Sequence, residues 1–360
     1  MKNHQPLDTS VSFDPYFGEP GRDGDQYYDV LPDGKVFFRL KAPGAHEVAI
    51  DQFGNITPLT RVDENMWEGA VEMGAGFKYF FLKVDGCDVL NPYLPIGYGC
   101  CRPMNFVDVP VPGEDWNALR DNVPHGSVTR HYYHSTVSGK TESCLVYLPA
   151  AYDAAKKYPV LYLQHGYGEN ETGWVYQGHV ARIADNLLHE GSMAEMIIVM
   201  GCGMVQPKDG DAHDLGRMLF PQVLLTDLIP YIEARYPVLT DKWHRAMAGL
   251  SMGSYQTSIV TLTNPDLFGY AGVFSGFLRF PRGGEEKHLA LLDDAAKFNE
   301  SFRVFYRAMG TEDNFFQSFA SDDAMLAGKG LNMERQLFPG GHDWSVWRRC
   351  IYNFLPKLFK

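Results

Sequence analysis

Several things are missing from this chain, and each absence narrows what it does. No run of about 18 consecutive apolar residues occurs in its 360 residues, so no transmembrane helix is expected. The first residues, Met1 to Ser10, carry no apolar core and do not read as a signal peptide. The expected location is the cytoplasm, or outside the cell if a leader has been removed. Basic residues are in deficit: 32 Lys and Arg against 44 Asp and Glu leave a formal charge of −12. That balance argues against nucleic acid and anionic membrane surfaces as partners. The six cysteines (Cys87, Cys100, Cys101, Cys144, Cys202, Cys350) show no C-x-x-C spacing and no nearby paired histidines, so no metal site is expected. Cys100 and Cys101 read as two reduced thiols, which suits a reducing compartment.

What is present is ample material for a core. Hydrophobic residues make up 45% of the chain and aromatics 14%, and the length fits two domains, or one large domain with an extension. Residues from about 25 to 110 alternate with a period near two. Val36–Leu40, Glu47–Asp51 and Phe77–Val84 read as strands, separated by turns at Pro32-Asp33-Gly34, Pro43-Gly44, Phe53-Gly54-Asn55 and Asp85-Gly86. With no helical periodicity between them, the expectation for residues 1–110 is a small β-sandwich whose ordered core begins near 25. The Pro- and Gly-rich stretch from Asn91 to Pro124 shows no long periodic segment and reads as linker, with the domain boundary drawn at 111–125.

From Gly126 onward strands alternate with helices. Ser143–Leu148, Pro159–Gln164 and Met196–Met200 read as apolar strands, Val180–Glu190 and Val223–Tyr236 as helices. The alternation predicts an α/β fold over 126–360, a mostly parallel sheet with helices on both faces.

Within it lies Gly249-Leu250-Ser251-Met252-Gly253, a G-x-S-x-G pentapeptide between a strand at Trp243–Ala248 and a helix beginning near Ser254. A serine on such a tight turn is held exposed at the positive end of the helix dipole, and the glycines are required where side chains would collide. Alone the pentapeptide is common. Here an acid and a histidine follow it: Phe302–Met309 reads as a strand ending in Gly310-Thr311-Glu312-Asp313, and Gly340-Gly341-His342-Asp343-Trp344 precedes a C-terminal helix. Doubly wound sheets place functional groups just past their strands' C-terminal ends. Either Glu312 or Asp313 fits as the acid. His165, His179, His213 and His244 are alternative bases, but only His342 follows the acid in the order Ser, Asp, His. Asp343 adjoins His342 too closely to orient it, and Ser275 reads as structural. The loop Gln164 to Trp174 opens with His165-Gly166 after what reads as the second strand of this domain. Such a loop supplies one oxyanion donor and the residue after the nucleophile the other, which assigns the backbone N–H groups of Tyr167 and Met252. No Gly-Lys-Ser/Thr follows the glycines, which excludes a P-loop.

These stretches resemble a known family. Tyr147-Leu148-Pro149 with Tyr152, the His165-to-Trp174 loop, Asp185-Asn186-Leu187, Ala248 to Gly253, Gly310 to Asp313 and Gly341 to Arg348 are similar to the esterases of carbohydrate esterase family 1. That family includes feruloyl and acetylxylan esterases of the α/β-hydrolase fold. The resemblance implies Ser251 as nucleophile, Asp313 as acid and His342 as base, with no cofactor. Ser254 departs from the family pattern, where a second glycine is common, and puts pocket shape in doubt. In the N-terminal stretch, F-R-L-x-A-P-x-A at Phe38–Ala45, Met66-Trp67-Glu68-Gly69, Tyr79, Val84-Asp85-Gly86 and Asn91-Pro92 resemble family 48 carbohydrate-binding modules, which are immunoglobulin-like.

The resemblance implies a serine esterase that releases ferulate or a related cinnamate from plant-polysaccharide fragments of the arabinoxylan type. Acetylxylan esterases share the same motifs. Siderophore trilactone esterases pair a β-domain with this fold but would favour basic residues near the site, and none adjoins Ser251, Asp313 or His342 in sequence. A glycan-binding protein on an inactive scaffold is the non-enzymatic alternative. Trp174 and Trp344 are candidate platforms for a phenolic or sugar ring, with core packing as the alternative. Trp67 reads as a core residue, with a sugar platform as the alternative.

Overall fold

The computed structural model describes residues 26–208, 219–279 and 286–360. The chain divides into two compact units, Met1–Asp115 and Trp116–Lys360.

In the N-terminal unit the strands are β1 (Tyr27–Val30), β2 (Val36–Lys41), β3 (Val48–Gln52), β4 (Asn55–Pro58), β5 (Thr60–Arg61), β6 (Met66–Val71), β7 (Gly76–Val84), β8 (Cys87–Val89), β9 (Ile96–Gly99) and β10 (Arg102–Val109). They form two antiparallel sheets, ordered β1-β2-β6-β5 and β4-β3-β7-β10-β9, with β8 paired to β7. Alternation explains their packing: Val36, Phe38 and Leu40 of β2 point inward with Ile50, Phe80, Leu82 and Val107 of the other sheet, and all seven share one core. The Phe38 and Phe80 rings meet edge-to-face at 5.3 Å. Trp67 belongs to this core as well. It is 6% exposed, and its Nε1–H donates to Ala42 O at 3.3 Å, so no face is left for a sugar.

The reading of Asn91–Pro124 as linker is corrected here. β9 and β10 lie inside it, and β10 runs between β7 and β9 with Met104, Phe106, Val107 and Val109 buried. Pro103 disguised this strand. It is tolerated because it faces Tyr98 of β9, whereas pairing with β7 begins only at Asn105. The β9–β10 hairpin turns on Cys100 and Cys101, both at positive φ (49° and 63°), and all six cysteines are free thiols.

The C-terminal unit has strands β11 (Ser127–Ser135), β12 (Lys140–Leu148), β13 (Val160–Gln164), β14 (Ile197–Gly201), β15 (Arg245–Leu250), β16 (Tyr270–Phe274), β17 (Val304–Gly310) and β18 (Glu334–Phe338). Its helices are α1 (Gly173–Tyr176), α2 (Val180–His189), α3 (Phe220–Val223), α4 (Ile229–Arg235), α5 (Met252–Thr263), α6 (Ala295–Ser301), α7 (Phe316–Leu326) and α8 (Trp344–Phe354). The sheet order is β11-β12-β14-β13-β15-β16-β17-β18; β12 pairs antiparallel with both β11 and β14, and the six strands β14, β13, β15, β16, β17 and β18 pair parallel in that order. Every residue of β13, β14, β15 and β16 is buried, as strands covered on both faces require. Val160 and Tyr162 join a cluster with Phe220, Leu224 and Leu228, while the alternate residues Leu161 and Leu163 are equally buried.

Three boundaries differ from expectation. The loop at His165 follows the third strand of this unit rather than the second, because β11 forms a strand of its own ahead of β12. The strand before the pentapeptide begins at Arg245, since Lys242–His244 form a 3₁₀ turn whose Asp241 side chain accepts the Trp243 N–H. The helix expected over Val223–Tyr236 is broken by a π-turn at Leu224–Leu228, just ahead of Pro230, which has no N–H to continue a regular ladder. Among the described residues no helix is long and apolar enough to cross a membrane.

Candidate active site

Ser251 leaves β15 and leads directly into α5. Its backbone sits at φ 50°, ψ −116°, a conformation that non-glycine residues seldom adopt, and its N–H donates to Phe274 O at 3.0 Å. Two glycines make this turn possible. A Cβ on Gly249 would lie 2.5 Å from the Gly253 carbonyl, and a Cβ on Gly253 would lie 2.5 Å from His165 O. Either side chain would push strand, helix and loop apart.

The acid and the histidine come from neighbouring strands. Register Gly310↔Phe338 sets the ends of β17 and β18 side by side. Thr311 N–H then donates to Phe338 O at 2.8 Å, and Glu312 N–H to Gly340 O at 3.0 Å. In this frame His342 Nδ1–H donates to Asp313 Oδ2 at 2.8 Å, and Ser251 Oγ–H donates to His342 Nε2 at 3.0 Å. The carboxylate can only accept, which places the imidazole proton on Nδ1 and leaves Nε2 as a lone-pair base. Asp313 is buried, and its Oδ1 also accepts the Phe315 N–H at 2.8 Å. The rings of Phe315 and Trp347 stand against the imidazole at 5.0 and 5.1 Å and limit its rotation.

The competing residues sit elsewhere. Glu312 is exposed and bonded to Thr311 Oγ1 at 2.6 Å. Asp343 caps α8, accepting the N–H groups of Ser345 and Val346. His244 pairs with Asp241, and His213 lies outside the described residues. His179 precedes α2 with φ 54°, where burial first and then Arg348 hold its pKa well below the ordinary value. Ser275 is buried, its N–H bridging to Ala308 O at 2.7 Å. Ser254 is also buried, and its Oγ–H donates to Ser251 O at 2.5 Å, so this departure from the family pattern sits beneath the turn.

The Gln164-to-Trp174 loop runs past the serine. A Cβ on Gly166 would lie 3.4 Å from Ser251 Cβ and 2.7 Å from Leu250 Cδ1. Tyr167 follows it, exposed, and Met252 is the first residue of α5. Trp174 and Trp344, expected as possible platforms, are each 1% exposed. Trp174 Nε1–H donates to Gln164 O at 2.7 Å and Trp344 Nε1–H to Glu169 Oε1 at 2.9 Å, with the two rings edge-to-face at 5.2 Å. Neither ring presents an open face, so the core alternative describes them and the platform assignment is corrected.

Sequence reasoning passed over the loop's acidic residues. Glu169 is buried, accepting Gly166 N–H at 3.1 Å as well as the Trp344 indole, and burial pushes its carboxyl up to about 8. Glu171 is buried too, accepting from Arg130 at 2.6 Å and from Ser143 Oγ at 2.5 Å. The pair Glu169 and Glu171 in a loop rich in glycine was the visible signal; that both fold inward was not. No group of three or more His, Cys, Asp or Glu among the described residues is arranged to hold a metal ion.

Known proteins are similar to this chain in sequence and in fold. The chain is 34% identical over 349 residues to an endo-1,4-beta-xylanase/feruloyl esterase of Xylanibacter ruminicola, covering 94% of this chain and 46% of that protein. It is 25% identical over 243 residues to endo-1,4-beta-xylanase Y of Acetivibrio thermocellus, covering 61% of this chain and 22% of that one. The chain thus spans less than half the length of these curated relatives. Among solved structures, a CE1 ferulic acid esterase from Anaeromyces mucronatus, in complex with ferulic acid, superposes with a TM-score of 0.60 at 26% identity, over 69% of this chain and 96% of that one. The enterobactin esterase of Shigella flexneri covers 97% of this chain and 99% of its own with a TM-score of 0.67; at 15% identity this likeness concerns the fold alone. The "Putative esterase" family model matches residues 135–358, well over half of the sequence, and on that match the chain belongs to the esterase family.

Proposed function

We propose that this protein is a serine carboxylic-ester hydrolase that releases ferulate or related hydroxycinnamates from feruloylated plant-polysaccharide fragments. The observation that carries the proposal is the relay from Ser251 through His342 to Asp313, with hydrogen bonds of 3.0 and 2.8 Å on a strained turn. In this reading Ser251 Oγ attacks the ester carbonyl while His342 Nε2 takes its proton. Asp313 holds the imidazole in its tautomer and stabilises the imidazolium. The N–H groups of Tyr167 and Met252 receive the oxyanion, and a donor of this kind contributes about 3 kcal/mol in the transition state. The imidazolium returns its proton to the departing sugar alcohol. Water, deprotonated by His342, then attacks the acyl-enzyme and releases the acid and Ser251. The feruloyl esterase name of the 34%-identical relative and the likeness to a ferulic acid esterase support the choice of acyl group.

We read the N-terminal unit as an immunoglobulin-like domain of the family 48 carbohydrate-binding-module type, occupying 1–110, followed by a linker at 111–125 and the esterase domain at 126–360. Two antiparallel sheets on one core are consistent with that reading.

Hydrolysis of methyl ferulate and 4-nitrophenyl acetate by wild type and Ser251→Ala tests the proposal. Ferulate release that falls by about 10⁴-fold or more in the variant supports both nucleophile and acyl group. Acetate release alone would move the function to deacetylation. Activity on neither ester, but on a catecholate trilactone, would overturn the polysaccharide reading.

A further inference from the structure

Gly166, ahead of Tyr167, is held at its carbonyl and at its N–H by side chains that have no part in the proton relay. His165 and Glu169 are 1% and 7% exposed. Gly203 N–H points at His165 Nε2 at 2.7 Å, and His165 Nδ1 lies 2.8 Å from Gly166 O. A backbone N–H only donates and a carbonyl only accepts. Nε2 is therefore the bare acceptor, and Nδ1 carries the proton it gives to Gly166 O. Burial pushes the imidazole pKa down to about 4, so the ring stays neutral through the range in which esterases work. On the other side, Glu169 Oε2 accepts Gly166 N–H at 3.1 Å. The Glu169 N–H also reaches Gly166 O at 3.4 Å, across a turn in which Gly168 supplies the positive φ of 79°.

The Gly166 carbonyl and the Tyr167 N–H belong to one peptide plane and point in opposite directions. Fixing the carbonyl therefore fixes the aim of the N–H. The plane is also tied down in translation, because the same loop sits against Gly253 of α5 and alongside Ser251.

We propose that His165 is a positioning residue for the oxyanion hole, in which its Nδ1–H holds the Gly166 carbonyl and so aims the Tyr167 N–H at the carbonyl oxygen of an ester attacked by Ser251. The inference rests on the esterase reading above. It separates the two ring nitrogens: Nε2 ties the loop to Gly203, which is a structural contact, and Nδ1 acts on the donor peptide, which is a functional one. Gln256 Nε2–H donates to Gly203 O at 2.8 Å, so Gly203 keeps an anchor on α5 when the imidazole is replaced.

Two variants divide these roles. His165→Asn sets an amide nitrogen close to the place of Nδ1 and gives up the Gly203 contact. His165→Gln sets its amide close to the place of Nε2 and gives up the Gly166 contact. With 4-nitrophenyl acetate, His165→Gln is expected to lower kcat on the order of 10- to 100-fold with KM little changed, a smaller loss than removing a donor outright. His165→Asn is expected to keep kcat within a few fold while its Tm falls. An aryl boronic acid, which forms a tetrahedral adduct on the serine, should bind His165→Gln more weakly by the same factor, with product ferulate unaffected. Equal kcat losses in the two variants that track Tm, or an unaltered kcat and boronate affinity in His165→Gln, would overturn the proposal. Imidazole ¹⁵N shifts of the wild-type protein supply a readout that needs no variant: a protonated Nδ1 and bare Nε2 at residue 165 are expected, and the reverse tautomer overturns the proposal. An inactive wild type would sink the esterase reading and this role together. An active wild type that depends on Ser251, with His165→Gln unaffected, would sink this role alone.

Discussion

In the N-terminal unit the buried polar side chains among the described residues are Asp51, Asn91 and Asn105, and each holds a turn. Asp51 accepts Gly54 N–H at 2.7 Å, while Asn105 accepts Asn91 N–H and donates to Asn91 O, both at 2.8 Å. In the C-terminal unit buried polar side chains are more numerous; besides those on α5 and on the β11–β12 hairpin, several stand where parallel strands end: His165 and Glu169 beyond β13, Ser275 beyond β16, Asp313 beyond β17. The difference follows from connectivity. An antiparallel hairpin closes in two residues at the water surface, as at Phe53-Gly54 and Cys100-Cys101. A parallel strand must open into a longer loop that crosses the sheet end, and its buried backbone groups need partners. Side chains recruited for that purpose sit in a low-dielectric setting, where charges and hydrogen bonds act more strongly. The hydrogen-bonded series Ser251, His342 and Asp313 is built in the second setting.

The largest effect that tests this contrast is on catalysis. Asp313→Asn should lower kcat by about 10⁴-fold through loss of the imidazole tautomer, whereas Asp51→Asn, which alters a largely buried carboxylate in the other unit, should leave kcat unchanged. Steady-state hydrolysis of 4-nitrophenyl acetate checks both, and a comparable loss in the second would break the comparison.

Next in size is stability. Trp67→Ala removes a core tryptophan of the N-terminal unit at a cost of about 3–5 kcal/mol. Urea denaturation should show that loss in the N-terminal unit while esterase kcat persists under native conditions; a parallel fall in kcat would show that the units depend on each other.

The buried titratable groups give a subtler signature. Glu169 is raised to about 8 by burial, so the native state holds a proton that the unfolded chain releases near its ordinary value of 4.5. Native stability therefore declines as pH rises from about 4.5 to 8, by at most about 1.4 kcal/mol per pH unit. Glu169→Gln should flatten that decline in Tm measured from pH 5 to 8, and an unchanged slope would show that Glu169 stays ionised. His165 runs the other way: lowered to about 4, it contributes stability that is lost as pH falls from 6.5 toward 4.

The smallest effect lies at a hairpin tip. Phe53 is 61% exposed and sits at φ 53° beside Gly54 at φ 105°, the pair of left-handed residues that a type I′ turn needs. Asparagine tolerates that conformation better than phenylalanine, but Phe53→Asn also loses the edge-to-face contact with Phe81 at 5.2 Å. The two effects should offset and leave the N-terminal unit within about 1 kcal/mol of wild type in a denaturation experiment.

Much of the site was legible because its residues stand next to signals of their own. Ser251 lies between two glycines, Asp313 past an apolar strand, and His342 in a glycine loop, and the structure brings the three into one hydrogen-bonded series. β9 and β10 were illegible because Pro103 and the surrounding glycines resemble a linker until the pairing of β10 with β7 and with β9 is known. Trp174 and Trp344 could be read as platform or core, since an indole has the same composition in either place. Their indole N–H bonds to Gln164 and Glu169 decide for the core.

By itself the sequence determined the α/β alternation of the second unit, the strand-turn-helix around Ser251 and the chain order of the three site residues, because periodicity and the steric demands of glycine act over a few neighbouring residues. Only the tertiary structure decided which residues meet. Gly310 beside Phe338 brings Asp313 to His342, and Gly253 against His165 seats the loop at the serine. Sheet register and close backbone packing join positions about 30 to 90 residues apart, and no local pattern encodes a distance of 3 Å between them.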